Sequence, residues 1–134
     1  MRTLILEVGS RRPLGVGAGS MAILAALPDG GMERIVAANR EHYRERGPFE
    51  ETVFRAHLAQ ARQSAFATHE ELFIRGVSGI GVAVRDASGY PIAAVSIAFV
   101  ADWLDETQHE FCIQHIRSTA DEIAECLTGA LEQA

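Results

Sequence analysis

The stretch from Gly79 to Val100 restricts the possible folds of this chain more than any other. Gly79–Val84 is a short β-prone apolar run, Asp86 to Gly89 (DASG) carries turn chemistry, and Pro91–Val100 (PIAAVSIAFV) is apolar at nearly every position. Two strand-forming runs joined by so short a polar turn predict an antiparallel hairpin. The second run shows no polar alternation, so it is expected to be covered on both faces, with Pro91 at its start where a missing N–H matters least. From Asp105 the period changes. Cys112, Ile116, Thr119, Ile123, Leu127 and Leu131 recur three or four residues apart, which predicts a long helix running almost to the last residue.

Upstream, Thr3–Val8 (TLILEV) reads as a strand from the middle of a sheet, although it begins almost at Met1. The expectation is that the chain either lacks the start of a larger domain or uses an unusually early strand. Residues 9–19 form a glycine-rich loop that opens into a buried helix over 20–27, which Pro28 stops. Asp29 is expected to cap a second short helix ending near Asn39, before a polar stretch from Arg40 to Pro48. Val53, Phe54, His57, Leu58 and Ala61 mark an amphipathic helix over 50–64. An extended segment over 64–67 and a loop or single turn at Thr68–Glu71 (THEE) follow. No repeat, low-complexity tract or linker divides the sequence, so its 134 residues are expected to form one domain over 1–134.

Charge narrows the function classes. With 12 basic against 18 acidic residues the net charge is −6, so the chain as a whole repels polyphosphate. Its basic groups, Arg11 with Arg12 and Arg40 with Arg44 and Arg46, are few, and Glu41 and Glu45 interleave the second set; they read as solvated surface. Direct nucleic-acid binding by this chain alone is not expected. No apolar run reaches the ~20 residues of a membrane-spanning helix and no secretion signal is legible, which implies a cytoplasmic protein with no membrane partner. Cys112 and Cys126 fall in the expected last helix, where ~1.5 Å per residue separates them by roughly 21 Å, well beyond disulfide reach.

Candidate chemistry is sparse. Gly15, Gly17 and Gly19 let backbone N–H groups crowd toward a ligand, and the helix behind them adds the positive end of its dipole, so an anion fits there. The same glycines also suit a tight turn that merely lets the helix pack closely. Neither a phosphate-loop lysine nor a dinucleotide spacing accompanies them. The five histidines, His42, His57, His69, His109 and His115, show no metal-ligand spacing, and no cofactor or metal is indicated. Ser20 lacks the GxSxG frame of a nucleophile, and Glu70 with Glu71 reads as a solvated pair. Ser96 interrupts an apolar strand, and a buried hydroxyl there needs a partner, either a ligand or its own sheet and a neighbouring helix.

PLGVGAGSMAILAALP, the THEE segment and SGIGVAVRDASGYPIAAVSIAF together resemble the effector-binding domain of IclR-type bacterial transcriptional regulators. Residues 79–97 follow most of the family's pattern of glycine, hydrophobic residues, Asp, Gly, Ala and Ser ahead of the last helix, and the resemblance spans essentially the whole chain. It implies an α+β fold with a curved antiparallel sheet flanked by helices, similar to GAF and profilin-like sensors. It further implies a pocket for small organic acids or aromatic effectors, homodimers or homotetramers, no catalysis, and a winged helix-turn-helix that this sequence does not contain, along with the first part of the sensor domain. Carried over by position, the anion-holding backbone falls on Ala18 and Gly19 and the ligand-contacting serine on Ser96. His69 stands where the family has an acidic residue, Gly79 where a pocket-wall residue can be cysteine, and Ala98 where a second serine occurs; Val77 and Leu4 line the wall. These departures remove polar contacts and point to a larger or more apolar ligand than glyoxylate or pyruvate.

Two other readings follow from the residues. The chain can be a truncated oligomerisation or interaction domain with no ligand, driven by an exposed sheet edge. It can also be an enzyme of GAF-like fold such as a sulfoxide reductase, against which stands the placement of both cysteines on the last helix.

Overall fold

The computed structural model describes residues 8–70 and 75–132, the side chains of positions 69, 70, 131 and 132 excepted. The expected early strand, with Leu4 in it, lies outside these residues apart from Val8, which sits in a turn. In chain order the elements are α1 (Ala18–Ala26), α2 (Asp29–Glu45), α3 (Glu51–Ser64), β1 (Ala67–Glu70), β2 (Val77–Arg85), β3 (Pro91–Val100) and α4 (Glu106–Glu132). The strands make one antiparallel sheet in the order β1-β2-β3, as the hairpin pattern predicts for its last two members.

Residues alternate between the two faces of a strand, and here each face has its own helices. Ile80, Val82 and Val84 of β2 turn toward α4, where they meet Ile113, Ile116 and Ala120. On the opposite face α1 lies on β2 and β3, and behind it Met21, Leu24, Tyr43, Phe54 and Leu58 join α1, α2 and α3 in a second core. The register places Ala67 opposite Gly81 and Gly81 opposite Ser96, then His69 opposite Gly79 and Gly79 opposite Ala98. These two cross-strand rows belong to the face that carries α1.

Local signals explain the ends of the elements. Asp105 and Gln108 form a reciprocal capping box at the start of α4: the Gln108 amide donates to Asp105 Oδ1 at 2.8 Å and the Asp105 amide to Gln108 Oε1 at 3.0 Å. In the hairpin turn Asp86 Oδ1 accepts from the amides of Ser88 and Tyr90 at 2.9 and 3.0 Å and from the Ser88 hydroxyl at 2.6 Å. These donors hold the Asp86 carboxyl below its ordinary range.

Several expectations need correction. The second helix does not end near Asn39 but continues to Glu45, because Tyr43, two turns beyond Val36, is a fully buried core residue within an otherwise polar run. Its cap is Pro28; the Asp29 side chain is instead paired with Arg62 of α3. The described part of the THEE segment, Thr68–Glu70, is not a loop: Ser64 still belongs to α3, Ala65 closes that helix in the left-handed region, and Ala67–Glu70 is a strand. Val53 of α3 is exposed, as are Thr119, Ile123 and Leu127 of α4; of the expected stripe Ile116 and Cys112 do pack inward, joined by Ile113 and Ala120. Nor is β3 covered on both faces. Ile92, Ser96, Ile97, Ala98 and Val100 are exposed, since β3 is an outer strand of the described sheet and α1 and α4 reach over only part of it.

Candidate functional site

The glycine loop is pinned by the aromatic core. Tyr43 Oη donates to the Leu14 carbonyl, and the Tyr43, Phe49 and Phe54 rings pack with centroids 4.9 to 5.4 Å apart. Gly15 lies flat on this cluster with φ +108°; a Cβ there would come within 2.7 Å of the Phe54 ring, so a side chain is excluded by space as well as by conformation. The Gly15 amide donates to Ser20 Oγ at 2.9 Å, and that hydroxyl in turn reaches the Pro13 carbonyl at 3.4 Å. The Ser20 side chain thus braces the loop. It is not a nucleophile held at an elbow.

This bracing leaves the start of α1 uncapped. Gly17 occupies the N-cap position with φ 99° and offers no side chain, and the first helical bond runs from the Met21 amide to the Gly17 carbonyl at 2.9 Å. The amides of Ala18 and Gly19 precede that bond and find no acceptor among the described residues, although both residues are buried. Buried N–H groups are nearly always paired, and at a helix start they carry the positive end of the dipole. An oxygen-bearing anion is the partner such a pair suits.

The sheet supplies the floor. A Cβ on Gly81 would lie 2.5 Å from the Ala18 carbonyl group and 2.6 Å from the Gly19 nitrogen, so only glycine lets β2 pass this close beneath the helix. One on Gly19 would lie 3.0 Å from Ser96 Oγ and 3.4 Å from the Ala94 methyl. Gly81 therefore lies against Ala18 and Gly19, and Gly19 lies against Ser96, the strand partner of Gly81. One row farther along the same face come Gly79, with no side chain, and Ala98, with a methyl group only; beyond them Val77 pairs with Val100. Beside the start of α1 this face of the sheet carries glycine, alanine and serine, and the low patch they form is the candidate hollow.

Of the sequence-derived candidates, the structure brings Ala18, Gly19, Gly79, Ser96 and Ala98 to this hollow, with Val77 at its far end and position 69 in register with Gly79. Leu4 lies outside the described residues. Ser96 is not the buried hydroxyl the apolar strand suggested: it is exposed, and its oxygen has no hydrogen-bond partner among the described residues. Sequence reasoning missed Gly81. Its signal was a glycine inside a strand (GIGVAV), which marks a close backbone approach. Among the described residues no three His, Cys, Asp or Glu side chains converge as metal ligands, and no helix is long and apolar enough to cross a membrane.

The family model described as the bacterial transcriptional regulator IclR C-terminal region matches residues 1–125. The chain belongs to the IclR C-terminal family. It is an effector-binding domain of the type found in these transcriptional regulators. Among solved structures, a transcriptional regulator of Rhodococcus sp. RHA1 is similar at 23% identity and a TM-score of 0.80, over 96% of this chain and 53% of that one. The IclR of Thermotoga maritima gives 23% and 0.76, over 93% and 51%. The PobR inducer-binding domain of Acinetobacter, solved as a double mutant with 3-hydroxybenzoic acid, gives 22% and 0.66, over 88% and 69%. These likenesses establish the α+β fold of the IclR effector domain. The chain spans about half the length of the Rhodococcus and Thermotoga proteins. No curated protein sequence matches it.

Proposed function

We propose that this domain senses a small organic acid or aromatic effector in the hollow beside the start of α1. The Ala18 and Gly19 amides hold the ligand's anionic group, and Ser96 donates a hydrogen bond. Gly79, Ala98 and Val77 surround the rest of the ligand. The observation that carries this reading is the pair of buried helix-start amides without an acceptor, set beside an exposed, unpartnered serine in a chain of this family. Gly79 and Ala98 leave room where bulkier polar groups would close it, so an aromatic or branched acid suits the hollow better than a two- or three-carbon one. PobR's inducer-binding domain, with its hydroxybenzoate, is a relative whose ligand has that character.

Residues 1–134 act as one unit in this proposal, as a homodimer or homotetramer in the cytoplasm and without catalysis. Effector binding shifts the assembly equilibrium and, through a winged helix-turn-helix elsewhere in the regulator, alters transcription. Thermal denaturation with 3-hydroxybenzoate and with pyruvate tests it. A bound ligand at one hundred times its dissociation constant adds about 2.7 kcal/mol by mass action, so Tm rises with concentration, more steeply for the aromatic acid. Ser96→Val should leave the unliganded Tm nearly unchanged, because the side chain is exposed, and remove most of the rise.

A second reading, an oligomerisation domain with no ligand, draws on the exposed outer strand and on Trp103 and Phe111, which are 72% and 61% exposed. Flat Tm against every acid and aromatic tried, together with concentration-dependent assembly in sedimentation, would favour it over sensing.

A further inference from the structure

A second cavity of about 550 Å³ lies at the opposite end of α1, bounded by α1, α3, α4 and the edge of β2. It exists because β1 is short. Pairing of β1 with β2 stops at Ala67 and Gly81, so from Val82 onward β2 has no strand partner on that side among the described residues. The surrounding helices do not fill the gap, since eight of the fourteen lining residues are alanines. Short methyl walls from three helices leave a groove where longer side chains would have closed it.

The polar part of this lining is positive in a chain whose net charge is −6: Arg62, Arg85 and Arg117 face one carboxylate, Asp121. Arg117, half-buried, is held in place, donating to the Ser64 carbonyl while its guanidinium lies 5.2 Å from the centre of the Phe66 ring. Arg85 donates to the Gly89 carbonyl at 2.9 Å. Arg62 is directed elsewhere: it pairs with Asp29 and reaches the Leu27 carbonyl at 3.5 Å, countering the negative end of α1. The guanidinium groups of Arg85 and Arg117 each keep further N–H donors, and a carboxylate takes two of these from one arginine in a fork.

We infer that this groove is a second ligand site, for a small carboxylate with an apolar body, its anionic group on Arg117 and Arg85 and its body against the alanine walls. The assignment is independent of the hollow beside Gly19, because the two lie at opposite ends of a nine-residue helix and share no residue.

The test is an amide-shift NMR titration of the whole chain with 4-phenylbutyrate and with its neutral amide. Phenylbutyrate should move the amides of Ala22–Ala26 and Arg117–Ala124, with at least tenfold weaker binding for the neutral amide. Arg117→Gln should weaken the acid about tenfold, roughly the 1.4 kcal/mol of one charge-assisted contact. Because Arg117 also braces the end of α3, Arg85→Gln, whose side chain holds only the Gly89 carbonyl among the described residues, serves as the second variant and should weaken the acid several-fold. Ser96→Val should leave these shifts intact. Equal affinity for acid and amide overturns the assignment, and so does an absence of shifts at millimolar acid. Shifts confined to the start of α1 and lost in Ser96→Val would assign the acid to the first hollow and overturn the second.

Discussion

At the scale of single residues, two positions decide the geometry of the site without touching a ligand. Gly81 is the first. An alanine there drives its methyl into the Ala18 carbonyl at 2.5 Å, against backbone that has no rotamer with which to yield. Overpacking of this kind costs about 1–3 kcal/mol, and α1 must lift from the sheet to relieve it. Gly81→Ala should therefore lower stability by that amount in urea denaturation and also weaken effector binding. Gly79→Ala serves as the neighbouring control for binding alone. Tyr43 is the second. Removing its hydroxyl in Tyr43→Phe leaves the Leu14 carbonyl without this donor and loosens the glycine loop, at a cost of about 1–2 kcal/mol. Burial pushes the Tyr43 phenol up from its ordinary value of 10.0 to about 12. With its folded pKa raised above the unfolded one, its contribution is complete below pH 10 and declines as pH climbs toward about 12. Denaturation midpoints measured across that window should fall less steeply in Tyr43→Phe than in the parent chain.

At the scale of elements, what the sequence made legible was what local chemistry fixes. The hairpin could be read because Asp86 and Gly89 encode its turn, and the last helix because Asp105 and Gln108 encode its start. What escaped were features set by distant partners. The polar run from Arg40 to Glu45 looked like a loop, yet it is helical because Tyr43 reaches Leu14, far from it in sequence, and the rings of Phe49 and Phe54 beyond the helix end. Thr68–Glu70 of the THEE segment is a strand only because the backbone of Ser78–Ile80 lies alongside it. Likewise the inward face of α4 was read only in part: Ile116 lies on it, but Ile113, Ala120 and Ala124 pack there while Thr119, Ile123 and Leu127 are exposed. The candidate site was legible for the same divided reason. Its glycines and Ser96 stood out within their own segments, whereas Gly81 acquires its role only when α1 is laid across it. The capping box gives this scale its prediction. Asp105→Ala removes the acceptor for the Gln108 amide and should cost about 1 kcal/mol, with faster amide exchange confined to the first turn of α4.

At the scale of the whole molecule, one sheet joins two separate cores. They lie on its opposite faces, so a ligand beside α1 is separated from α4 only by the thickness of β2 and β3. α1 meets the sheet at Gly81, and its neighbours Ile80 and Val82 pack against the helix on the other side. What the molecule cannot readily do is hold DNA by its own charge. Each phosphate contact needs a cation, while the formal balance here is 12 basic groups against 18 acidic ones. Several of the arginines are already engaged: Arg40 and Arg55 with Glu51, Arg55 also with Glu33, and Arg62 with Asp29. The isolated domain should therefore leave duplex DNA unretarded in a gel-shift assay at physiological salt, with or without 3-hydroxybenzoate. Retardation that weakens steeply as salt rises would reveal a basic surface large enough to overcome the net charge, and would place DNA contacts in this domain. A regulator built on the proposed plan must instead show salt-dependent retardation only when its DNA-binding domain is attached, with the effector changing the protein concentration at which the shift appears.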